Sequence, residues 1–225
     1  MSEPVDTSIV REGRPEKRWP MASAVVVSIV MQLALPDRHV LSPSFLFPLV
    51  EAVLLVVLLV GDPGRIDRTS RAMRVTTNAM IAAITTVNAA VAVRLVVDIV
   101  EDASVLTSAR ELLLAGGIVW LTNVIAFALW FWDLDGGGAA ARASGAGPPS
   151  GFVFPEHNHG ASQAAGWAPE FVDYLALSFN TAMAFSPTDV SAVRRWAKVL
   201  MMIESVVSLI VAILVVARAI NILPG

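Results

Sequence analysis

The sequence contains no cysteine and few charged residues. Among its 225 residues, Asp, Glu, Lys and Arg together make up only 16%. Without cysteine the chain can form no disulfide, use no thiol nucleophile and build no cysteine-ligated metal site. The formal net charge of −3 shows no basic excess, so we predict no nucleic-acid partner.

Histidine is also scarce, and none of it lies in an apolar run. The chain has three histidines, and no Ser/His/Asp grouping or closely spaced pair of carboxylates occurs in the apolar segments. These groupings carry most nucleophilic and acid–base catalysis. We therefore predict that the protein is not an enzyme, with no catalytic residues, no metal site and no cofactor.

Long apolar runs dominate what is present. Hydrophobic residues make up 56% of the chain, and the mean hydropathy is +0.67. Uncharged runs of this length predict an all-α, multi-pass protein of the plasma membrane with about five transmembrane helices. We predict a mobile polar tail at 1–19, and three helices in the N-terminal region 20–105, at Met21–Leu35, Leu41–Val60 and Val75–Val100.

Two of the predicted spans carry polar residues in their middle. Arg94 and Asp98 lie one helical turn apart in the third span. Charges inside a membrane helix are costly unless they are paired, so these residues either neutralise one another or serve a function. Asn123 lies in the middle of the fourth predicted span, Glu111–Trp132, and there it favours a hydrogen bond between helices.

A long Gly/Pro-rich stretch follows the fourth span. Residues 133–169 have the composition of a flexible loop. The aromatic residues Phe152, Phe154 and Trp167 are candidates to anchor it.

The C-terminal region combines a short helix, a polar turn and a long helix. The short helix is predicted from Pro169 to Phe185, the turn reads SPTD, and the long apolar helix runs from Arg194 to Leu223. The short helix has too few residues to cross a bilayer core of about 30 Å and return. This pattern predicts a re-entrant loop, in which a helix enters the membrane and the chain leaves again on the same side.

The residues around this turn follow a recognisable order. Thr181 lies on the short helix, Asp189 ends the turn, and Trp196, Lys198 and Ser208 follow on the long helix. With Asp189 taken as the filter Asp, residues 110–225 resemble the pore domain (outer helix, pore loop and inner helix) of bacterial two-helix potassium channels. The resemblance makes Thr181 a pore-helix threonine, puts Trp196 and Lys198 at the head of the inner helix, and puts Ser208 where a hinge glycine is common. The family's Thr-Val-Gly-Tyr-Gly filter is replaced by Ala184, Phe185, Ser186, Pro187 and Thr188.

This replacement changes what the filter can do. Pro187 fixes φ near −65°, and Thr188 is β-branched, so neither readily adopts the positive φ that filter glycines supply. Rings of carbonyls spaced for dehydrated potassium are therefore not expected. The hydroxyls of Ser186 and Thr188 and the Asp189 carboxylate remain. Asp189 could form a ring of four acids in a tetramer; alternatively it caps the last helix or pairs with Arg194 or Arg195, and the two roles can coexist.

Glu204 lies inside the long helix, with Ser205 beside it. An intramembrane carboxylate is a functional candidate, here as a cavity ion site or a proton relay. The structural alternative is a hydrogen bond to Asn180 or Thr181, or a salt bridge to Arg94.

Together these features predict a cation-conducting homotetramer with weak or altered selectivity. Its partners would be copies of itself, monovalent cations and lipid. The alternative is a non-conducting membrane scaffold or subunit that retains the pore-domain fold. The resemblance implies that the loop mouth faces outward, whereas the basic residues near it favour the cytoplasm.

Overall fold

A computed structural model describes residues 16–35, 45–62, 64–66, 70–101, 108–158, 167–183 and 189–222, and these are mostly helical. The helices are α1 (Trp19–Leu33), α2 (Leu46–Gly61), α3 (Arg71–Glu101), α4 (Ala109–Leu134), α5 (Ala139–Ser144), α6 (Phe171–Met183) and α7 (Arg195–Ile222). Two-residue strands form two small antiparallel pairs, β1 (Glu16–Lys17) with β2 (Arg65–Ile66) and β3 (Phe152–Val153) with β4 (Ser191–Ala192).

Three of the described helices, α3, α4 and α7, are long and apolar enough to cross a membrane. The chain is therefore a helical membrane protein. The apolar helices α1 and α2 have 15 and 16 residues, which at 1.5 Å per residue span about 22–24 Å of the roughly 30 Å core. Both predicted N-terminal spans thus exist as helices, but each is shorter than a full crossing.

The first strand pair defines one end of the helix bundle. Glu16 pairs with Ile66, and the Arg18 guanidinium contacts the Asp62 carboxylate at 2.8 Å. This end, where α1 begins and α2 ends, is called the N-terminal end below. The predicted mobile tail was too long, because Glu16 and Arg18 are buried and α1 begins at Trp19. Residues 1–15 lie outside the described residues.

Helix α4 lies at the centre of the bundle. It packs against α3, α6 and α7, and most of its side chains beyond the first turns are buried. One apolar cluster surrounds its last turns, with Phe131 and Trp132, and a second surrounds its first turns, with Leu112 and Ala115. Helix α7, in contrast, buries a narrow stripe and leaves a long apolar face exposed. That face contains Val199, Met202, Ile203, Val206, Ile210, Ile213, Val216 and Ile220.

The Gly/Pro-rich stretch after α4 is more structured than its composition predicts. Three successive glycines, Gly136–Gly138, all have positive φ, which residues with a side chain rarely adopt. They turn the chain into α5, and β3 then pairs with β4. Phe152 and Phe154 are buried as predicted, and Phe154 lies 5.8 Å from the Trp167 ring. Buried aromatic rings therefore hold the described part of this stretch.

Helices α6 and α7 begin at the same end of the bundle. The Phe152 ring lies 6.3 Å from Tyr174, near the start of α6, and 5.5 Å from Trp196, near the start of α7. Further along both helices, the Ser205 hydroxyl donates to the Thr181 carbonyl oxygen over 3.1 Å. The two helices therefore run side by side in the same direction.

Candidate functional site

Glu204 lies in the contact between α7 and α6. Its side chain is fully buried, and the Ser178 hydroxyl of α6 is within hydrogen-bond distance of Oε1. The same hydroxyl donates to the Val124 carbonyl oxygen of α4 over 2.7 Å. Glu204 Oε2 finds no hydrogen-bond partner among the described residues. The sequence placed this contact on the correct helix, but the expected partners Asn180 and Thr181 were wrong.

Thr181 and Ser205 connect the same two helices one turn further along. The Thr181 hydroxyl donates to the Leu177 carbonyl oxygen at 2.8 Å, within α6, and the Thr181 carbonyl accepts from Ser205. Both hydroxyls therefore donate within the chain, that of Thr181 to its own helix and that of Ser205 to α6. Ser178, Thr181 and Glu204, three polar residues of the α6–α7 contact, are buried within one chain.

Ser208 belongs to a chain of hydrogen bonds that crosses three helices. The Asn123 amide of α4 donates to the Ser208 hydroxyl at 3.0 Å, and the Asn88 amide of α3 donates to Asn123 at 3.2 Å. The predicted interhelical role of Asn123 is confirmed. Ser208 lies inside helix α7, which runs from Arg195 to Ile222 without interruption.

A second buried carboxyl group, Glu51 of α2, was missed by the sequence reasoning. The Gln32 amide of α1 donates to both of its oxygens, at 2.8 and 2.9 Å. Glu51 is fully buried. The sequence does indicate it as a candidate, because it is a single acid within an apolar run. Its partner was not readable, because Gln32 lies in a different helix.

The turn between α6 and α7 is described only in part. Asp189 is exposed just before β4, so the structure places it at the N-terminal end of the bundle, close to where α6 begins. The predicted filter-like residues Ala184, Phe185, Ser186, Pro187 and Thr188 lie outside the described residues.

The predicted head of the inner helix holds one packed residue and one exposed residue. Trp196 is half-buried against Phe152, and a Cβ added at Gly151 would approach the Trp196 ring to 2.4 Å. The indole therefore anchors α7 to the Gly/Pro-rich stretch after α4, which carries β3 and is called the covering stretch. Lys198 is exposed.

Arg94 and Asp98 lie on α3 as expected, with Arg94 exposed and Asp98 partly buried. Their pairing stays a prediction.

Glu16 holds the start of α6 in place. Its carboxyl group accepts hydrogen bonds from the Trp132 indole at 2.8 Å and from the first backbone N–H of α6, that of Phe171, at 2.5 Å. The Arg142 guanidinium lies 3.4 Å away. Burial raises the pKa of Glu16, and the Trp132, Arg142 and Phe171 contacts oppose that rise in part. Sequence reasoning missed this residue because an acid in a polar tail carries no distinguishing signal.

Asp135 organises the covering stretch in the same region. Its carboxylate accepts from the Ser150 hydroxyl at 2.7 Å, the Gly151 N–H at 2.6 Å and the Tyr174 hydroxyl at 2.6 Å. Arg142 stacks over the Tyr174 ring at 5.1 Å. These bonds connect the end of α4, the start of α6 and β3 into one rigid region.

The described residues contain no group of three His, Cys, Asp or Glu side chains that could hold a metal ion. Comparison of the chain with protein-family models, with curated proteins and with solved structures finds no match.

Proposed function

We propose that this membrane protein is a cation-conducting homotetramer with weak or altered selectivity, in which α4, α6 and α7 act as outer helix, pore helix and inner helix. The observation that carries the proposal is the parallel course of α6 and α7. Both begin near Phe152, and Thr181 reaches α7 at Ser205, well inside that helix. Met183, where α6 ends, and Asp189, before α7, therefore lie at different levels of the bundle, which supports a re-entrant pore loop between them.

The charge arrangement is compatible with cations. The C-terminal end of a helix carries a partial negative charge, and that of α6 lies at the level of Ser205, about 15 Å along α7. Asp189 is exposed where the loop returns, and four copies around an axis would form a ring of acids that attracts cations. The exposed apolar face of α7 would then pack against neighbouring copies and line the inner cavity.

Four copies also solve a problem of the single chain. A non-helical turn at membrane depth cannot face lipid, because its backbone polar groups would lack hydrogen-bond partners. Assembly around an axis covers such a turn with protein or water. The proposed homotetramer follows from this requirement.

The test combines mass and ion flux on the same purified protein. Native mass spectrometry in mild detergent should give a tetramer, and proteoliposomes should pass both potassium and sodium. Asp189→Asn should lower the flux most at low ionic strength, because at 0.1 M salt charges are screened beyond about 10 Å. Glu170→Gln is the matched control, since Glu170 is also an exposed acid at this end of the bundle. A monomer, or a strong preference for potassium, would contradict the proposal.

The second candidate is a non-conducting scaffold or subunit with the same fold. The observation that favours it is the inward direction of the polar residues on α7. Glu204 and Ser208 are buried within one chain, whereas the exposed side of α7 is almost entirely apolar. A stable oligomer without flux, unchanged by Asp189→Asn, would support this candidate over the channel.

A further inference from the structure

A cavity of about 100 Å³ lies at the N-terminal end of the bundle, away from the α6–α7 contact. Residues from the start of α1, the first turns of α3, the end of α4 and the glycine turn before α5 line it. The polar side chains among them are Arg18, Ser70, Arg74, Thr77 and Asp133. Since a single water needs about 10–15 Å³ of such space, the cavity has room for a group of several heavy atoms.

Arg18 is the side chain that most clearly requires a ligand. It is only 4% exposed, and among the described residues one of its terminal nitrogens pairs with the Asp62 carboxylate at 2.8 Å. Its Nε has no hydrogen-bond partner within the described part of the chain. Buried N–H groups almost always have a partner, and a guanidinium is well shaped to bind phosphate oxygens. An unsatisfied guanidinium N–H beside a cavity therefore favours an anionic oxygen as ligand.

The cavity also contains an acid. Asp133 is buried and lines the cavity together with Arg18 and Arg74. A plain anion would meet this carboxylate as a like charge. A ligand that carries a phosphate and a short ammonium group avoids that conflict, because its phosphate faces the arginines and its ammonium donates to Asp133.

The position of the cavity matches the level of lipid headgroups. The Trp132 indole lines it, and the exposed Trp19 begins the neighbouring helix; tryptophan is enriched at the membrane–water interface. Val75 and Leu134 lie next to lining residues and expose apolar surface, on which acyl chains could lie. A headgroup can therefore enter the cavity while its chains stay in the bilayer.

We propose that this cavity binds a phosphoethanolamine group, with Arg18 and Arg74 on the phosphate and Asp133 on the ammonium. The group can belong to a membrane lipid or to a soluble molecule. The same three residues would recognise both. This site does not depend on ion conduction, and it stands whichever function proposed above is correct.

The test is native mass spectrometry of the full chain, titrated with lipids of identical acyl chains. Phosphatidylethanolamine should bind roughly tenfold more tightly than phosphatidylcholine, whose trimethylated nitrogen has no N–H to donate to Asp133. Phosphatidylethanolamine should likewise bind more tightly than phosphatidylglycerol, which has no ammonium group. Equal binding of the three lipids, or no binding of any, would overturn the proposal.

Matched variants assign the contacts. Asp133→Asn should remove most of the preference for phosphatidylethanolamine over phosphatidylcholine, and Arg74→Gln should weaken both. Arg71→Gln is the control, because Arg71 is exposed on the same helix and does not line the cavity. Arg18→Gln also breaks the contact with Asp62 and can prevent folding. In that case Asp133→Asn and Arg74→Gln alone test the site. A preference unchanged by Asp133→Asn in folded protein would refute the site.

Free phosphoethanolamine distinguishes the two sources. If it displaces the lipid at comparable concentration, the cavity binds the headgroup alone and a soluble ligand is sufficient. If only the lipid binds tightly, the acyl chains contribute and the ligand is a membrane lipid. Both results support the phosphoethanolamine site, whereas displacement by inorganic phosphate alone with equal strength would contradict the role of Asp133.

Discussion

The Ser178 hydroxyl lies between two acceptors on different helices, the Glu204 carboxyl group of α7 and the Val124 carbonyl oxygen of α4. A hydroxyl has only one hydrogen to donate. Both contacts are hydrogen bonds at the same time only if the Glu204 carboxyl carries a hydrogen and donates it to Ser178. In that case the contact joins α4, α6 and α7 through neutral groups, and we expect a neutral amide to replace the carboxyl well.

Substitution at Glu204 tests this arrangement. Glu204→Gln should change the free energy of unfolding by less than about 1 kcal/mol, because the amide can donate to Ser178. Glu204→Leu should cost about 1–3 kcal/mol, since it removes the buried hydrogen bond to Ser178 and leaves the Ser178 oxygen without a donor. Thermal unfolding in detergent measures both, with the exposed Ser191→Ala as control. If Gln proves as damaging as Leu, the carboxyl is charged in the folded protein.

Adjacent glycines of α4 offer a matched pair for testing the α4–α7 contact. A Cβ added at Gly116 would lie 2.6 Å from Cγ1 of Val215, whereas one added at Gly117 would meet nothing within 4 Å. Gly116→Ala should therefore destabilise the protein by about 1–3 kcal/mol. Gly117→Ala should leave the stability unchanged or raise it slightly, because alanine favours helix. Equal melting temperatures for the two variants would show that α7 is free to move away from α4.

The stability of the protein should fall as the pH rises, in part because of Glu16. Burial raises the pKa of this carboxyl above its ordinary 4.5, so the folded chain binds the proton more tightly than the unfolded chain. Its contribution to stability is fully present below pH 4.5 and is lost as the pH rises through the raised pKa. Glu16→Gln cannot ionise and should flatten this part of the pH dependence.

The effect is measured by comparing the unfolding midpoints of the unchanged protein and of Glu16→Gln between pH 4 and pH 8. This range includes the ordinary carboxyl pKa. Glu101→Gln serves as control because Glu101 is an exposed acid at the other end of the bundle, where α3 ends. A pH profile of Glu16→Gln identical to that of the unchanged protein would contradict the prediction.

The N-terminal end of the bundle should face the cytoplasm. Most described basic residues lie at this end: Lys17, Arg18, Arg71, Arg74, Arg142, Arg194, Arg195 and Lys198. Arg110 and Arg218 lie at the other end, at the start of α4 and near the end of α7. Basic residues are enriched on the cytoplasmic side, so this distribution opposes the orientation that the potassium-channel resemblance implies.

The absence of native cysteine allows a direct test with single substitutions at the exposed Ser191 and Asn221. In intact cells a membrane-impermeant maleimide should label Asn221→Cys and leave Ser191→Cys unlabelled until the cells are permeabilised. The reverse pattern would establish the outward-facing loop mouth.

Much of the helical framework was predictable from the sequence. The predicted helix bounds differ from the observed ones by a few residues, because long apolar runs between polar turns leave few alternatives in a membrane. The third span begins earlier than expected, at Arg71 instead of Val75. The short helix before a long one was likewise visible, and Asn123 in an apolar run correctly indicated a hydrogen bond between helices.

Composition misled the prediction in two places. The tail and the Gly/Pro-rich stretch both have the residue types of flexible segments, yet Glu16 and Asp135 are buried and each accepts several hydrogen bonds. Composition averages over a segment, whereas one buried carboxylate with several donors is enough to order it.

What the sequence determined by itself is which segments are apolar helices, and that Glu204 and Asn123 inside two of them need a partner. Only the tertiary structure decided the partners: Ser178 for Glu204, Gln32 for Glu51, and Phe171 and Trp132 for Glu16. The physical reason is that a helix specifies its own backbone hydrogen bonds locally, but its rotation and neighbours depend on the packing of the whole bundle. A side-chain partner many residues away is a property of that packing.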